Sequence, residues 1–161
     1  MKPWKIVLMF IFALILSAST AAAQPSSNFY LVLNPDIYAA GHFFNGAIGT
    51  KTNDLIKFTA GDTVDPGLAL VFENKLQGKL MFDYSGYIGR SDPGTTLKVM
   101  FISANANTDK DVIISSENIN LEKEIKKFSG RIPSGTNKID IMFCGTCTAN
   151  IELSGIKIIS N

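Results

Sequence analysis

Short apolar runs separated by turn residues fill the chain from Asn28 onward, and most of these runs alternate apolar with polar positions. A period of two places alternate side chains on one face of a strand, so the pattern predicts strands with one buried side. Turn signals such as Asp65-Pro66-Gly67 and Asp92-Pro93-Gly94 separate the runs. The predicted strands span residues 29–33, 55–59, 68–73, 79–84, 97–103, 139–143 and 151–159.

One apolar face on each of these strands indicates antiparallel sheets that cover a common core. A single open sheet of this size would leave its apolar face in water, so the sequence predicts an antiparallel β-sandwich. About eight strands are typical of a jelly roll. We expect residues 24–161 to form one such all-β domain.

The segment 118–128 fits two structures. Leu121, Ile125 and Phe128 have helical spacing, whereas the alternate positions from Leu121 to Lys127 would share one face of a strand. The surrounding β pattern favours a strand, and the helix remains an alternative.

Residues 79–159 contain a fixed order of pieces: strands 79–84 and 97–102, a polar hairpin at 105–111, a Pro-x-Gly turn within 131–135, and strands 138–143 and 151–158. This order resembles a carbohydrate-binding module of the galactose-binding-like jelly-roll type. The final strand has Leu153-Ser154 where that family often has paired aspartates. The resemblance implies a non-catalytic domain that binds a glycan.

Residues 1–23 have the pattern of a secretory signal peptide. Lys2 and Lys5 precede an unbroken apolar run at residues 6–16, and Ala21-Ala22-Ala23 supplies small residues before a cleavage site at Gln24. The run is shorter than the roughly 20 residues of a membrane-spanning helix. We therefore expect a secreted or periplasmic protein without a stable membrane anchor.

The net charge gives no support for nucleic acid as a partner. The chain has 15 basic and 14 acidic residues, and two of the basic residues lie in the predicted signal peptide. A nearly neutral domain lacks the basic field that nucleic-acid binding requires, so we expect no nucleic-acid partner.

Cys144 and Cys147 are the two cysteines of the chain. If Gly145-Thr146 formed the tip of a two-residue hairpin, the cysteines would face each other within reach of a disulfide. A disulfide is the expectation in an exported protein, with free thiols or redox chemistry as alternatives.

Two further patterns carry candidate chemistry. Oxygen side chains alternate at Asn105, Asn107, Asp109 and Asp111, which resembles the first half of a calcium loop, but position six lacks the glycine and position twelve the glutamate. The incomplete match leaves a structural calcium ion as a minor alternative, and we expect no other cofactor or metal.

His42 is the only histidine and lies in an aromatic-rich segment without a nucleophile motif. We expect no catalytic residue, although a small hydrolase with an acidic pair is not excluded.

Aromatic residues indicate the candidate binding site. Sugar rings stack on flat side chains while nearby polar groups bind their hydroxyls. Tyr84, Tyr87 and Arg90 form the predicted ligand-binding group, and Tyr84 could instead complete a core face with Leu80 and Phe82. Tyr38, Phe43 and Phe44 form a second aromatic group with the same ambiguity, and Trp4, the only tryptophan, would leave with the signal peptide.

Two functions therefore remain open. The first is binding of a glycan or polysaccharide by aromatic stacking and polar contacts. The second is recognition of a surface protein by a small secreted β-sandwich. An exposed apolar patch above a few hundred Å² would favour the second function.

Overall fold

The structure is a computed structural model that describes residues 28–105 and 110–159. These residues form eleven β-strands and no helix. The strands are β1 (Asn28–Asn34), β2 (Ile37–Phe44), β3 (Ala47–Thr52), β4 (Leu55–Val64), β5 (Gly67–Val71), β6 (Lys79–Ser91), β7 (Thr96–Ser103), β8 (Val112–Ile119), β9 (Lys126–Arg131), β10 (Lys138–Cys144) and β11 (Thr146–Ile159).

The strands form two sheets, and every pair of neighbouring strands is antiparallel. The six-stranded sheet has the order β1-β2-β5-β10-β7-β8, and the five-stranded sheet has the order β3-β4-β11-β6-β9. Apolar side chains from both sheets form one buried cluster. The predicted all-β, antiparallel sandwich is therefore confirmed.

Alternation decides which side chains enter this core. On β6, Leu80, Phe82 and Tyr84 are buried, and the intervening residues face outward. Phe82 stacks on Phe128 of the neighbouring β9, with ring centroids 4.8 Å apart. Burial of such rings supplies much of the driving force for folding, at roughly 25 cal/mol per Å² of apolar surface.

The segment 118–128 is neither one strand nor a helix. β8 ends at Ile119 and β9 begins at Lys126, and residues 120–125 connect them without regular structure. Leu121 packs against the core, but Ile125 lies in solvent, so the apolar positions do not share a buried face. The preferred expectation of a strand holds only at the two ends of the segment.

The strands β2 and β3 were not predicted because their small and polar residues weaken the alternation. A tight turn at Asn45-Gly46 joins them, and both turn residues have positive φ, 50° and 76°. β2 pairs with β1 and β5 of the six-stranded sheet, whereas β3 pairs with β4 of the five-stranded sheet, so this turn carries the chain from one sheet to the other. Asn and Gly are the residues that most readily adopt the positive φ that the turn requires.

The prediction of a Cys144–Cys147 disulfide is wrong in this structure, where both cysteines are free. It assumed a hairpin, but β10 and β11 belong to different sheets. Cys144 pairs with Thr96 of the six-stranded sheet, whereas Cys147 pairs with Thr63 and Ser91 of the five-stranded sheet. The chain crosses between the sheets at Gly145, and this crossing separates the two thiols.

An aspartate fixes that crossing. The Asp65 carboxylate accepts a hydrogen bond from the backbone N–H of Gly145 over 2.7 Å, and the Asp65 N–H donates to the Gly145 carbonyl over 3.2 Å. Gly145 has a φ of 112°, a conformation that favours glycine. The Asp65-Pro66-Gly67 turn therefore holds the corner between the sheets.

Residues 28–105 and 110–159 contain no helix with the length and hydropathy needed to cross a membrane. The predicted signal peptide at residues 1–23 lies outside the described residues.

Candidate functional site

The three predicted ligand-binding residues all lie on β6, but they do not share a face. Tyr84 is only 8% exposed, pairs with Leu153 of β11 and meets Phe82 edge-on with ring centroids 6.0 Å apart. Its ring therefore belongs to the core and offers no surface for a ligand. The structure therefore agrees with the alternative interpretation, in which Tyr84 completes the core face with Leu80 and Phe82.

Tyr87 and Arg90 lie on the outer surface of the five-stranded sheet. Tyr87 is 49% exposed, and its hydroxyl oxygen accepts a hydrogen bond from Asn150 Nδ2 over 2.7 Å. Arg90 extends into solvent with Nη1 3.8 Å from Asp62 Oδ2. The structure therefore brings these two predicted residues to one face and leaves Tyr84 behind it.

A depression of about 240 Å³ lies on this face and is lined by Asn150, the hydrogen-bond partner of Tyr87, but not by Tyr87 itself. Lys57 and Glu152 also line it and form an ion pair with Nζ and Oε1 2.6 Å apart. Ile48 supplies an exposed aliphatic surface. The depression thus combines one apolar contact with several hydrogen-bonding groups.

A larger cleft, which we call the tyrosine cleft, lies on the outer side of the six-stranded sheet. Its volume is about 610 Å³. Tyr30 of β1 and Tyr38 of β2 line it and are 79% and 61% exposed. The Tyr38 hydroxyl donates to the Pro35 carbonyl over 3.1 Å, which orients that ring. The cleft is therefore an open site with two accessible aromatic rings.

The loop between β5 and β6 forms the opposite wall of the tyrosine cleft. Phe72 and Leu76 anchor the loop in the core, and their N–H groups donate to Asn137 and Thr136 carbonyls over 2.9 and 2.7 Å. The polar residues that line the cleft are Asp36, Glu73, Asn74, Lys75 and Gln77. The wall is thus held in place and presents both donors and acceptors to the cleft.

A buried carboxylate lies near the cleft on the same face of the sheet. Val71 lines the cleft and pairs with Lys138, which lies two residues before Asp140 on β10. Asp140 is 6% exposed; Lys138 Nζ is 3.5 Å from its Oδ2, and Oδ1 has no hydrogen-bond partner among the described residues. Burial raises the pKa of the Asp140 carboxyl to about 6, against the opposing attraction of Lys138.

Two other charged or titratable groups share the neighbourhood of Asp140. Lys138 Nζ also contacts Asp111 Oδ2 at 2.6 Å, and although burial lowers the pKa of Lys138, Asp111 and Asp140 together raise it. His42 faces Asp140 across Ala69, and burial and the charge of Lys138 lower the pKa of its imidazole. This face of the sheet is therefore polar at its centre as well as in the cleft.

Residues 28–105 and 110–159 contain no group of three or more His, Cys, Asp or Glu side chains placed to hold a metal ion. Two members of the predicted calcium loop, Asn107 and Asp109, lie outside the described residues. Asp111 instead forms the ion pair with Lys138.

Sequence reasoning missed the tyrosine cleft because its parts are far apart in the chain. Tyr38 belongs to one of the two aromatic groups recognisable in the sequence, and Tyr30 belongs to neither. The usable signal was alternation, since Tyr30 is out of phase with its neighbours Phe29, which is partly buried, and Leu31, which is buried. An aromatic residue on the polar phase of a strand indicates an exposed ring.

Comparison with known proteins supports the fold. No protein-family model matches the chain, and no curated protein matches it either. A solved family 4 carbohydrate-binding module is similar in structure at 8% identity and a TM-score of 0.54, over 75% of this chain and 94% of that one. A mutant family 29 carbohydrate-binding module is similar at 14% identity and a TM-score of 0.51, over 80% of this chain and 89% of that one.

A second structure of a family 29 module is similar at 14% identity and a TM-score of 0.50, over 80% of this chain and 86% of that one. At these identities the likeness concerns the fold. The chain therefore has the jelly-roll sandwich fold seen in carbohydrate-binding modules, as its sequence led us to expect.

Proposed function

We propose that this protein binds a glycan, without cleaving it, in the tyrosine cleft. The observation that carries the proposal is the exposure of Tyr30 and Tyr38 in one open cleft of about 610 Å³. Ligand sites of this size combine aromatic surfaces with a few polar groups that fix orientation. The cleft has both components.

Stacking supplies the affinity in this proposal. One face of a pyranose ring presents C–H groups, and a tyrosine ring covers them while its hydroxyl stays in contact with water. Tyr30 and Tyr38 are already exposed, so binding removes apolar ring surface from solvent without breaking core contacts. Two rings on adjacent strands would contact neighbouring sugar units of a chain.

The lining of the cleft favours an uncharged glycan. Asp36 and Glu73 are acidic, and Lys75 is basic, so the lining carries one net negative charge and no basic excess. Carboxylates accept hydrogen bonds from sugar hydroxyls, and side-chain amides can both donate to and accept from them. A polyanionic glycan would instead require an excess of Lys and Arg.

The fold adds support at the level of analogy. Solved structures similar to this chain include carbohydrate-binding modules of families 29 and 4. The same sandwich can carry other functions, so the cleft rather than the fold supports the assignment. The charge pattern and the apolar run of residues 1–23 further support export of the protein to a compartment where polysaccharides are found.

The test is a glycan array followed by calorimetry, with protein purified from the exported fraction after expression of the full chain. We expect saturable binding to one class of neutral glycan, with and without calcium, and no new reducing ends in the bound glycan. The double variant Tyr30→Ala/Tyr38→Ala is expected to lose glycan binding at the tyrosine cleft. Val112→Ala changes an exposed residue of the edge strand β8 and should bind glycan as the unaltered protein does. Absence of binding by the unaltered protein to every glycan on the array would contradict the proposed function.

A further inference from the structure

The outer face of the five-stranded sheet carries a second array of groups suited to a sugar. We propose that Tyr87 and Asn150 form a second glycan-binding site, so that one molecule bridges two glycan chains. The inference rests on the proposed function and adds a site on the opposite side of the sandwich. Tyr87 and Arg90, two residues predicted from the sequence, lie on this face.

A single transverse row organises this second site. Strand register places one outward residue from each of four neighbouring strands side by side: Tyr87, Asn150, Thr59 and Ile48. Ile48, Thr59 and Asn150 of this row line the depression of about 240 Å³, and Tyr87 lies next to Asn150 at the end of the row. The row begins with an aromatic ring, continues through an amide and a hydroxyl, and ends at an aliphatic side chain.

Two features hold Tyr87 in position. Its hydroxyl receives the 2.7 Å hydrogen bond from Asn150. The preceding residue, Gly86, lies so close to β11 that a β-carbon there would overlap the Asn150 carbonyl oxygen. Close approach of these two backbones therefore depends on glycine. A half-exposed ring with a fixed hydroxyl loses little conformational entropy when a ligand covers it.

Charges on this face are largely neutralised within it. The row of outward residues beside the row of Tyr87 contains an ion pair between Lys57 Nζ and Glu152 Oε1, 2.6 Å apart. Arg90 Nη1 lies 3.8 Å from Asp62 Oδ2. Exposed pairs of this kind contribute little to stability, typically about 0–1 kcal/mol. They do provide N–H donors and carboxylate acceptors within reach of sugar hydroxyls, with no excess of either sign.

The two sites point away from each other. Tyr30 and Tyr38 lie on the outer side of the six-stranded sheet, Tyr87 lies on the outer side of the five-stranded sheet, and the buried core lies between them. Two glycan chains can therefore bind at once without competing for space. Engagement of both sites on an insoluble polysaccharide raises apparent affinity through effective concentration.

Calorimetry and a bridging assay with the full, exported protein test this inference. The probes are hexasaccharides of β-1,4-linked glucose, xylose, mannose and N-acetylglucosamine, taken in the order of array binding. We expect about two sites per molecule, about one after Tyr87→Ala, about one after Tyr30→Ala/Tyr38→Ala, and none in the triple variant. Ile125→Ala, an exposed apolar change in the loop between β8 and β9, is the matched control and should retain both sites.

In the bridging assay, protein bound to an immobilised polysaccharide is offered a fluorescent hexasaccharide. We expect capture by the unaltered protein and by Ile125→Ala, and loss of capture after Tyr87→Ala. One site per molecule, with Tyr87→Ala binding as the unaltered protein does, would overturn the second site and leave the proposed function standing. No binding of any probe would instead overturn the proposed function itself.

Discussion

Tyr30 and Tyr38 lie on adjacent antiparallel strands, with Tyr30 opposite Ala40 and Tyr38 opposite Val32. This register makes the two tyrosines diagonal neighbours, a separation of roughly 7–8 Å between their backbones. Both rings line the tyrosine cleft and remain largely exposed. The relationship places two stacking surfaces at a spacing that suits neighbouring units of a glycan chain.

A first prediction separates the ring of Tyr38 from its hydroxyl. Tyr38→Ala should weaken glycan binding at the cleft by about tenfold, since loss of one aromatic stacking partner removes roughly 1 kcal/mol or more. Tyr38→Phe keeps the ring and loses only the bond to the Pro35 carbonyl, so its affinity should fall by no more than about threefold. Equal losses in the two variants, measured by calorimetry, would show that the hydroxyl rather than the ring matters.

A second prediction concerns Gly86. Gly86→Ala should lower the free energy of unfolding by about 1–3 kcal/mol, because its β-carbon would overlap the Asn150 carbonyl oxygen. Urea denaturation followed by circular dichroism measures this change. Gly61→Ala on β4 is the matched control, because a β-carbon there meets no atom within 4 Å. Equal stability of the two variants would remove the steric explanation for glycine at position 86.

A third prediction follows from the buried carboxyl of Asp140. Its folded pKa of about 6 exceeds the usual value near 4, so the folded state binds a proton more tightly than the unfolded state. The stabilising contribution of this proton is therefore full below about pH 4 and is lost as pH rises through about 6. Asp140→Asn abolishes this titration while leaving the contact of Lys138 with Asp111 available.

The measurement is the free energy of unfolding of both proteins from pH 4 to pH 7.5. The stability of Asp140→Asn relative to the unaltered protein should rise with pH by about 2–3 kcal/mol. Other titrating groups, including His42, are common to both proteins and largely cancel in the difference. A difference that does not change with pH would mean that Asp140 titrates normally.

A fourth prediction tests the cysteines. Cys144 and Cys147 are free, so the intact mass should not change on reduction. Burial and the charge of Asp62 raise the pKa of the Cys147 thiol to about 11, which leaves little thiolate at pH 8. Iodoacetamide should therefore label Cys147 slowly in the folded protein and rapidly in urea. A mass increase of about 2 Da on reduction would instead establish a disulfide.

Strand prediction from the sequence succeeded where alternation is strong. Residues 79–84 alternate apolar and polar side chains, and they form the part of β6 that pairs with both β9 and β11. It failed for β2 and β3, whose Ala, Gly and Thr residues carry little apolar signal, and for β8, whose residues are mostly exposed on both faces. Alternation of apolar and polar residues indicates a strand with one buried face, and small residues at the buried positions weaken this alternation.

Partner strands could not be read from the sequence at all. Cys144 and Cys147 looked like opposite ends of a hairpin, but the chain changes sheets at Gly145. The same limit explains the candidate site. Tyr87 and Arg90 could be chosen because they are of suitable residue types and lie close together in the sequence. The tyrosine cleft is formed by β1, β2 and the loop after β5, which come together only in the folded structure.

The most direct test of the central claim is a nuclear magnetic resonance titration of the labelled protein with the hexasaccharide that the array selects. The account predicts saturable shifts of the backbone amides of Tyr30, Tyr38 and Val71, which line the tyrosine cleft. It predicts no shift at Ile125, which lies in a solvent-exposed loop. Saturable glycan binding with unchanged resonances at Tyr30, Tyr38 and Val71 would contradict the assignment of the cleft.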